Sequence, residues 1–352
     1  MHSAERLHST IEIYGGLTQE TTLHFHPFAR MGLLEASLSL FGTLVIQIVT
    51  VAALVNSSTL SLSQPKAAMT STTTKEVPIE LLPFIRVYKN GSVERLKDTP
   101  IVPPSPDQDP ETGNQKLPIL VYFHGGGFFL ESAFSSLYHR YLNNLVSQVH
   151  VLTISVEYRL APEHLLPAAY EDCWAALQWV ASHSAGNGKE PWLINNGDFE
   201  RIFTGGDSAG ANIVHNMAIR AGIESLAFGA KILVLSQLGQ SLRKDTRRAC
   251  LTGGVDNPMV NPEGPGAPSL AELGCDRMLV CVAGKDLMKD RGVWYFDMVR
   301  KSGWKGEVEL FEVEEEDHIF HIRNIETQNS KAMVNRLASF VFERSSSCAA
   351  MP

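Results

Sequence analysis

Two spacings of apolar residues alternate along the chain from residue 117 onward and predict a series of strands and helices. Short continuous apolar runs are typical of buried strands. They lie at 117–123, 151–156, 232–235, 278–282 and 308–313, and a further strand is predicted at Ile202. Apolar residues at intervals of three and four predict helices between these runs. One predicted helix follows residue 208, and the others span 168–183, 293–301 and 331–344. Strands and helices that alternate in this way predict a mostly parallel central sheet with helices on both faces.

The stretch that precedes this series has the pattern of a hairpin followed by a loop. Residues 84–96 form two segments of alternating polarity around Asn90 and Gly91, and Asn-Gly is the strongest short signal for a hairpin turn. Residues 97–113 contain five prolines and several acidic residues, which excludes a helix or an interior strand. We therefore expect a small hairpin and a long loop before the main sheet.

Residues 1–75 differ in character from the rest of the chain. Residues 36–65 carry no charged side chain, and 44–55 is strongly apolar. The wider run 33–55 is long enough to cross a bilayer, which takes about 20 residues, but its serines, threonines and glutamine dilute it. The run also begins far from Met1 and lacks the basic cluster of a secretory signal. We expect residues 1–75 to be an N-terminal extension, disordered or membrane-associated through 33–55, that catalysis does not need.

Composition and charge narrow the class of protein. A chain of 352 residues with 44% apolar side chains can bury a large core, and we expect one folded domain over 76–345 with a tail at 346–352. Charged residues make up 19% and the net charge is −8, so nucleic acid is not an expected partner. The five cysteines are odd in number and lack metal-type spacing. They predict free thiols, no metal site and a cytoplasmic protein.

The pattern Gly206-x-Ser208-x-Gly210 stands between a predicted strand and a predicted helix. It fits the nucleophile elbow, in which a serine occupies a sharp turn from a strand into a helix. Glycines are needed on both sides of the serine because the backbone of such a turn runs close to itself and a Cβ atom would clash. The pattern therefore predicts Ser208 as a nucleophile, since the flanking strand and helix supply the context that the motif requires.

A glycine run supplies a second element of acyl-transfer chemistry. His124 and the three glycines that follow it come directly after the strand predicted at 117–123. Glycines allow backbone N–H groups to converge on one point, as the oxyanion of a tetrahedral intermediate requires. The N–H group of Ala209, the residue after the serine, would complete such an oxyanion hole.

The serine also needs a base, and the base needs an acid that orients it; both positions have rivals. Asp286 directly follows a predicted strand, whereas Asp290 comes a helical turn later, beside Arg291 as an ion-pair partner. We prefer Asp286, because sheets of this kind place their functional groups at the carboxyl ends of strands. His318 follows the last predicted strand, and we prefer it as the base to His321, which we expect to be structural.

Five motifs follow one another in a defined order along the chain. They are His124-Gly-Gly-Gly, Glu157-Tyr-Arg-Leu-Ala-Pro-Glu-His164, Gly206-Asp-Ser-Ala-Gly210, Asp286 with Asp290-Arg291-Gly292, and His318-Ile-Phe320. Together they resemble the plant carboxylesterases, which belong to the hormone-sensitive-lipase-like group of α/β hydrolases. The resemblance runs from about residue 75 to residue 342 and rests on several motifs in the right order.

The resemblance implies an α/β-hydrolase fold in which Ser208 is the nucleophile, His318 the base and Asp286 the orienting acid. It implies no cofactor. The oxyanion donors that it implies are Gly126, Gly127 and Ala209. The residues that it implies as braces of the site, without reacting, are Tyr158, Arg159, Pro162 and Glu163. Asp207, beside the serine, is expected to be a structural acid.

Two segments are shorter than those of the family that the chain resembles. Residues 97–116 stand where the family has further strands, which predicts a sheet without its edge. Residues 237–254 stand where the family has a longer cap, which predicts a reduced cap. Neither shortening touches the predicted catalytic residues.

The resulting hypothesis is a serine carboxylesterase that hydrolyses esters of small molecules. One alternative is a lyase like 2-hydroxyisoflavanone dehydratase, which shares the scaffold. Another is a catalytically weak binding protein like the gibberellin receptors, but these replace the catalytic histidine, whereas His318 is present here.

Overall fold

The computed structural model describes residues 77, 79–102, 116–186, 188–224 and 257–343, together with the backbone of strands at 10–12, 45–51 and 231–233. The strands are β1 (Thr10–Glu12), β2 (Val45–Val51), β3 (Ile79–Leu81), β4 (Ile85–Val87), β5 (Val93–Arg95), β6 (Leu117–Phe123), β7 (Leu152–Glu157), β8 (Gly197–Gly206), β9 (Lys231–Leu233), β10 (Arg277–Ala283) and β11 (Glu307–Val313). The helices are α1 (Ser136–Val149), α2 (Ala168–Ser182), α3 (Pro191–Asn196), α4 (Ala209–Ile223), α5 (Lys289–Lys301), α6 (Phe320–Arg323) and α7 (Gln328–Phe342).

Eight of these strands form the central sheet, in the order β1-β2-β7-β6-β8-β9-β10-β11. Neighbouring strands are parallel throughout, except for the antiparallel pair β1 and β2. The prediction of a mostly parallel sheet is therefore confirmed. Because β6, β8, β10 and β11 run in one direction, their carboxyl ends lie at the same edge of the sheet. The loops that carry the candidate site residues all begin at that edge.

Helices cover both faces of this sheet, as the alternation of strands and helices predicts. In β6, Ile119 and Val121 pack in a cluster with residues of α2, α4 and α5. Leu120 and Tyr122, which point the other way, pack with residues of α1 and α7. This alternation is the two-residue period of a strand. Since both faces are covered by apolar side chains, the strand sequence is a continuous apolar run.

The hairpin predicted before the main sheet is present. Strands β4 and β5 pair antiparallel on either side of Asn90 and Gly91. Gly91 has a φ of 82°, which explains the glycine at this turn. Strand β3 pairs with β4 and makes a three-stranded sheet, although the sequence pattern did not predict it.

Helix α1 is absent from the predicted helices, although its sequence carries the signal. Its buried residues recur at helical spacing on one face of the helix. They are Tyr138, Tyr141, Leu142, Leu145, Val146 and Val149. The helix begins after the loop that carries the three glycines following His124, and it covers the face of the sheet opposite α4.

The N-terminal region differs most from expectation. Residues Val45–Val51, part of the apolar run, form a strand parallel to β7, with Ile46 level with Ile154 and Val49 level with Glu157. This strand and β1 occupy the edge of the sheet that we expected to be missing. The prediction of a sheet without its edge is therefore wrong, and the apolar run lies partly within the central sheet. The boundary of the catalytic domain at residue 76 stays a prediction.

Other predictions fall on residues outside the described ranges. These are the remaining N-terminal residues, most of the loop at 97–113, the reduced cap at 237–254 and the tail at 346–352. Within the described ranges, no helix combines the length and the apolarity that a membrane span needs. The described cysteines form no disulfide bond; they are Cys173, Cys275 and Cys281.

Among the described residues, His124, His215 and His321 lie in the core with almost no solvent contact. Burial lowers the pKa of His124 and of His215 to about 4, and that of His321 to about 3. A buried imidazole resists protonation because the charged ring would lose its hydration. These three rings are therefore neutral at pH 7 in the folded protein.

These pKa values predict how stability depends on pH. Below about pH 6.5 the unfolded chain protonates these histidines but the folded chain does not, so the free energy of unfolding falls as the pH falls toward 4. Each such histidine contributes about 1.4 kcal/mol per pH unit to the slope. His321→Phe should make the Tm–pH profile shallower between pH 6.5 and pH 4. The exposed His164 offers a control, and His164→Gln should leave the slope unchanged. An unaltered slope in His321→Phe would contradict the lowered pKa of His321 in the folded protein.

Removing residues 1–74 tests the N-terminal boundary. We expect the shortened chain to keep its catalytic activity, because every candidate site residue lies after residue 123. We also expect its Tm to fall by several degrees, because β7 would lose the partner that covers its edge. In the full chain, Ile48→Pro should lower the Tm in the same direction, since proline cannot donate to the strand ladder. Differential scanning calorimetry measures the Tm of both variants. An unchanged Tm in both would show that β2 is not part of the domain.

Candidate active site

Ser208 lies in the turn between β8 and α4, where the sequence predicts a nucleophile elbow. Its backbone angles, φ 52° and ψ −115°, lie in a region that non-glycine residues rarely occupy. A Cβ atom on Gly210 would overlap the carbonyl oxygen of Phe123, and one on Gly206 would overlap that oxygen and the Gly210 backbone. The predicted need for glycine on both sides of the serine is thus confirmed.

His318 lies between Ser208 and Asp286. Its Nδ1 atom is 2.7 Å from Oδ2 of Asp286, and its Nε2 atom is 3.2 Å from Oγ of Ser208. A carboxylate can only accept, so Nδ1–H donates to Asp286 and Nε2 accepts from the serine hydroxyl. Asp286 is buried, and its other oxygen accepts the N–H of Met288 at 2.8 Å. The three side chains predicted to act together therefore form one hydrogen-bonded line.

Two loops meet to bring the carboxylate and the imidazole together. The loop after β10 donates hydrogen bonds of 2.8 Å from the N–H of Gly284 to the Val313 carbonyl and from the N–H of Lys285 to the Glu316 carbonyl. A Cβ atom on Gly284 would overlap the backbone of Glu314. The parallel pairing of β10 and β11 thus continues into their loops, and it fixes the distance between Asp286 and His318.

The two rival residues lie outside this line. Asp290 is exposed in the first turn of α5. The guanidinium of Arg291 lies over the ring of Trp294, 4.6 Å from its centroid, so the ion pair expected between Asp290 and Arg291 is not formed. His321 is fully buried, and its ring meets Tyr141 edge-on at 5.3 Å between centroids.

The glycine loop, residues 124–135 between β6 and α1, has a backbone that suits glycine at two positions. Gly126 has a φ of 104° and Gly127 a φ of 66°. A Cβ atom on Gly126 would overlap the Leu130 carbonyl, and one on Gly127 would press on the Phe129 ring. Ala209, the third predicted donor, is the first residue of α4, where backbone N–H groups have no partner within the helix. All three donors that the sequence predicts therefore lie at the carboxyl edge of the sheet.

Asp207 ties the elbow to the glycine loop. Its carboxylate is fully buried and accepts hydrogen bonds from the hydroxyl groups of Tyr122 at 2.7 Å and Tyr138 at 2.8 Å. It also accepts the N–H of Gly125 at 3.2 Å. Burial raises the pKa of this carboxyl to about 6, although the tyrosine hydrogen bonds favour the charged form. These contacts agree with the structural part expected of Asp207.

His124 and Tyr158 fix the start of the glycine loop. The two rings stack 4.2 Å apart at an angle of 10°. The hydroxyl of Tyr158 donates to the His124 carbonyl at 2.7 Å, and Nδ1 of His124 lies 2.7 Å from the Gly125 carbonyl. Tyr158 thus braces the site, as the resemblance implies.

Two arginine–carboxylate pairs brace the neighbouring loops. Arg159 holds the buried Asp172 through Nε and Nη2, each at 2.8 Å. Arg95 holds Glu163 through its two terminal nitrogens, at 2.7 and 2.8 Å. Sequence analysis names Arg159 and Glu163 but misses Arg95, because a pair separated by 68 residues leaves no local pattern.

Comparison with known proteins places the chain among enzymes. Residues 120–322 match the model of a family described as alpha/beta hydrolase fold. A 2-hydroxyisoflavanone dehydratase of Glycyrrhiza echinata is 49% identical over 327 residues, which cover 78% of this chain and 99% of that protein. Tuliposide A-converting enzyme 1, chloroplastic, of Tulipa gesneriana is 40% identical over 321 residues, which cover 80% of this chain and 83% of that protein.

The alignment with the Glycyrrhiza protein also bears on the shortened segments. It extends over 327 residues, whereas 78% of this 352-residue chain is about 275 residues. About 50 aligned positions therefore have no counterpart here. Where these positions are lost stays a prediction, which sequence analysis places at 97–116 and 237–254.

Solved structures show the same fold. An esterase from the fungus Rhizomucor miehei superposes with a TM-score of 0.55 at 23% identity, covering 66% of this chain and 76% of the other. At that identity the likeness concerns the fold alone. The family match spans the glycine loop, the elbow and both loops that carry Asp286 and His318. The parallel sheet, the family match and the plant relatives agree, and the chain therefore belongs to the alpha/beta hydrolase family, in its fold-3 group.

Proposed function

We propose that this protein is a serine carboxylesterase that hydrolyses carboxylic esters of small molecules through an acyl-enzyme on Ser208. The observation that carries the proposal is the hydrogen-bonded line from Asp286 through His318 to Ser208. A serine hydroxyl is a weak nucleophile unless a base removes its proton as it attacks. The imidazole in this line has the required position and, with Nδ1–H held by Asp286, the required tautomer.

In the first half of the reaction, Oγ of Ser208 attacks the ester carbonyl carbon and its proton moves to Nε2 of His318. The π electrons of the carbonyl move to oxygen and leave a tetrahedral oxyanion. When the intermediate collapses, the bond to the alcohol oxygen breaks and the alcohol takes the proton from Nε2. Asp286 keeps its charge throughout and stabilises the imidazolium that forms.

In the second half, water attacks the acyl-enzyme and gives its proton to Nε2. The second tetrahedral intermediate collapses with cleavage of the bond to Oγ, which recovers its proton. Backbone N–H groups of Gly126, Gly127 and Ala209 are the proposed donors to the oxyanion in both halves. Such donors are effective because they are fixed before the charge develops. No cofactor takes part in this chemistry.

The substrate class follows from the relatives as a proposal. Plant proteins similar to this chain bear the names of enzymes that act on small molecules, and the fold neighbours include esterases. A net charge of −8 fits this class better than a polyanionic partner. We also keep a cytoplasmic location as a prediction, based on the cysteine pattern.

A second candidate function is dehydration by a lyase. Two relatives at 49% and 44% identity, from Glycyrrhiza echinata and Glycine max, bear the name 2-hydroxyisoflavanone dehydratase. In such a reaction His318 would take the proton from the carbon beside the ketone, a C=C bond would form, and the hydroxyl would leave with a proton as water. A receptor-like binding protein has less support, because His318 is present and is hydrogen-bonded to both Asp286 and Ser208.

The decisive experiment compares two substrates. Purified protein is given a p-nitrophenyl ester of a short acid and, separately, 2-hydroxyisoflavanone. We expect ester hydrolysis, which forms a covalent bond to Ser208 and disappears in Ser208→Ala. Faster formation of isoflavone than of p-nitrophenol, with Ser208→Ala still able to dehydrate, would favour the lyase instead.

The base is identified by a comparison of two histidines. His318→Ala should lower kcat roughly 10³-fold or more, nearly as much as Ser208→Ala, because the two side chains act as a unit. His321→Phe is the matched control, since it alters a neighbouring buried ring outside the line. Hydrolysis of a p-nitrophenyl ester measures both. A large loss in His321→Phe with little loss in His318→Ala would reverse the assignment.

The orienting acid is identified in the same way. Asp286→Asn keeps the shape of the side chain but removes the charge that fixes the tautomer and stabilises the imidazolium, so kcat/KM should fall roughly 10³- to 10⁴-fold. Asp290→Asn changes an exposed carboxylate on α5 and should stay within twofold of the native chain. Both variants are assayed under identical conditions. Equal losses would show that the acid has been chosen wrongly.

A further inference from the structure

The glycine loop carries several residues in unfavourable backbone conformations. Besides Gly126 and Gly127, Phe128 has a positive φ, 71°, and so does Glu131, 66°. For a residue with a Cβ atom this left-handed region costs energy, so it persists only where the surroundings hold it. The donors proposed at Gly126 and Gly127 therefore depend on contacts from outside the loop.

Arg95, the last residue of β5, provides such a contact. Its Nε atom donates to the carbonyl of Phe129, in the middle of the loop, at 3.1 Å. Its two terminal nitrogens donate to the two carboxylate oxygens of Glu163 at 2.7 and 2.8 Å. One guanidinium thus joins the N-terminal hairpin, the glycine loop and the loop after β7.

Phe129 transmits this contact to the proposed oxyanion donors. Its N–H donates to the carbonyl of Gly126 at 3.2 Å, and its ring lies where a side chain on Gly127 would stand. The ring also meets Phe84 of the hairpin edge-on, at 6.2 Å between centroids. A shift of the Phe129 carbonyl would therefore move the peptides at 126 and 127.

The loop after β7 closes the arrangement from the other side. The N–H of Ala161 donates to the Phe128 carbonyl at 2.8 Å. Nη2 of Arg95 in turn lies 3.4 Å from the Ala161 carbonyl. The hydrogen bonds from this guanidinium also lower the pKa of the Glu163 carboxyl, because they favour its charged form. Two carbonyls and one carboxylate from two loops thus converge on a single side chain.

We propose that Arg95 is a positioning residue for the oxyanion hole, which it holds in its productive geometry by cross-linking the glycine loop at Phe129 to the loop that carries Glu163. This inference rests on the proposed esterase function. Arg95 touches neither Ser208 nor His318, so its effect is on the placement of the donors. A planar guanidinium with five N–H groups can serve three acceptors at once, whereas a lysine ammonium cannot keep the same geometry.

The first test compares Arg95→Met with a matched control on the same hairpin. Arg86 pairs with Glu80 of β3 at 2.6 Å and with Glu94 of β5 at 3.7 Å, all within the three-stranded sheet, so Arg86→Met removes a similar ion pair without touching the loop. We expect kcat of Arg95→Met for a short p-nitrophenyl ester to fall about 10- to 100-fold, the scale of a small misplacement of catalytic groups. KM should stay within about twofold. Arg86→Met should keep both constants.

A conservative variant separates charge from geometry. Arg95→Lys keeps a positive charge near Glu163 but loses the fork, so kcat should lie between those of Arg95→Met and the native chain. All rates are normalised to active enzyme by titration with a fluorophosphonate. If Arg95→Met does not fold, Arg95→Lys alone decides, and native kcat in that variant would overturn the proposal.

An oxyanion mimic supplies the readout that a merely structural role would not move. An alkyl trifluoromethyl ketone accepts Oγ of Ser208 at its carbonyl carbon, its oxygen becomes the anion, and the serine proton moves to His318. Its Ki in Arg95→Met should rise by the same factor by which kcat/KM falls, while binding of the matching methyl ketone stays unchanged. A lower Tm with native kcat and native Ki would reduce Arg95 to a stabilising ion pair and overturn the proposal.

The controls separate this failure from failure of the proposed function. If the native chain hydrolyses no ester and binds no trifluoromethyl ketone, the esterase function itself is wrong. If the native chain does both, and Arg95→Met does both equally well, only the positioning role of Arg95 is wrong.

Discussion

The backbone of the turn at Ser208 lies so close to the end of β6 that no side chain fits between them. A Cβ atom on Gly210 would overlap the Phe123 carbonyl. One on Gly206 would overlap that carbonyl and the backbone of Gly210. This contact decides where Ser208 lies relative to the glycine loop, because the chain that leaves Phe123 enters that loop at once. Serine and proposed oxyanion donors are thus neighbours through backbone packing. Asp207 then fastens the same junction with hydrogen bonds from two tyrosines and from Gly125.

The other two residues of the proposed triad reach the serine through strand pairing. Strands β10 and β11 run parallel in register, and their loops continue the pairing as far as Glu316. Asp286 and His318 lie on these two loops. A sheet edge formed by parallel strands therefore gathers residues that are 110 positions apart in the chain into one hydrogen-bonded line.

The sequence predicts those parts of the molecule whose causes are local. Strand β6 is a continuous apolar run because helices cover both faces, and Asn90-Gly91 forms a hairpin because that turn needs a positive φ. The elbow at Ser208 is predictable for the same kind of reason, since its two glycines answer a clash within one turn. Asp286 and His318 could be preferred to their rivals because each directly follows a strand, which is a property of the fold.

Features that depend on distant partners could not be predicted. Arg95 is an ordinary polar residue at the end of a hairpin strand until the fold sets Glu163 and the Phe129 carbonyl beside it. The ion pair expected between Asp290 and Arg291 is an error of the opposite kind, because adjacency in sequence was taken for contact. The apolar run at the N-terminus has the composition of a membrane-associated segment, and only the pairing with β7 shows that its part Val45–Val51 is a sheet strand.

The place of β2 in the sheet has a consequence for how the chain comes together during synthesis. Val49 pairs beside Glu157, a residue that the ribosome adds 108 positions later. At translation rates of about 5 to 20 residues per second, the finished strand waits roughly 5 to 20 seconds for its partner. Throughout that time an uncharged, strand-forming segment has no sheet to join, and such segments are the ones that pair with other chains. The edge of this sheet is therefore the first part of it to be made, yet it can join the parallel strands only after β7 has been synthesised.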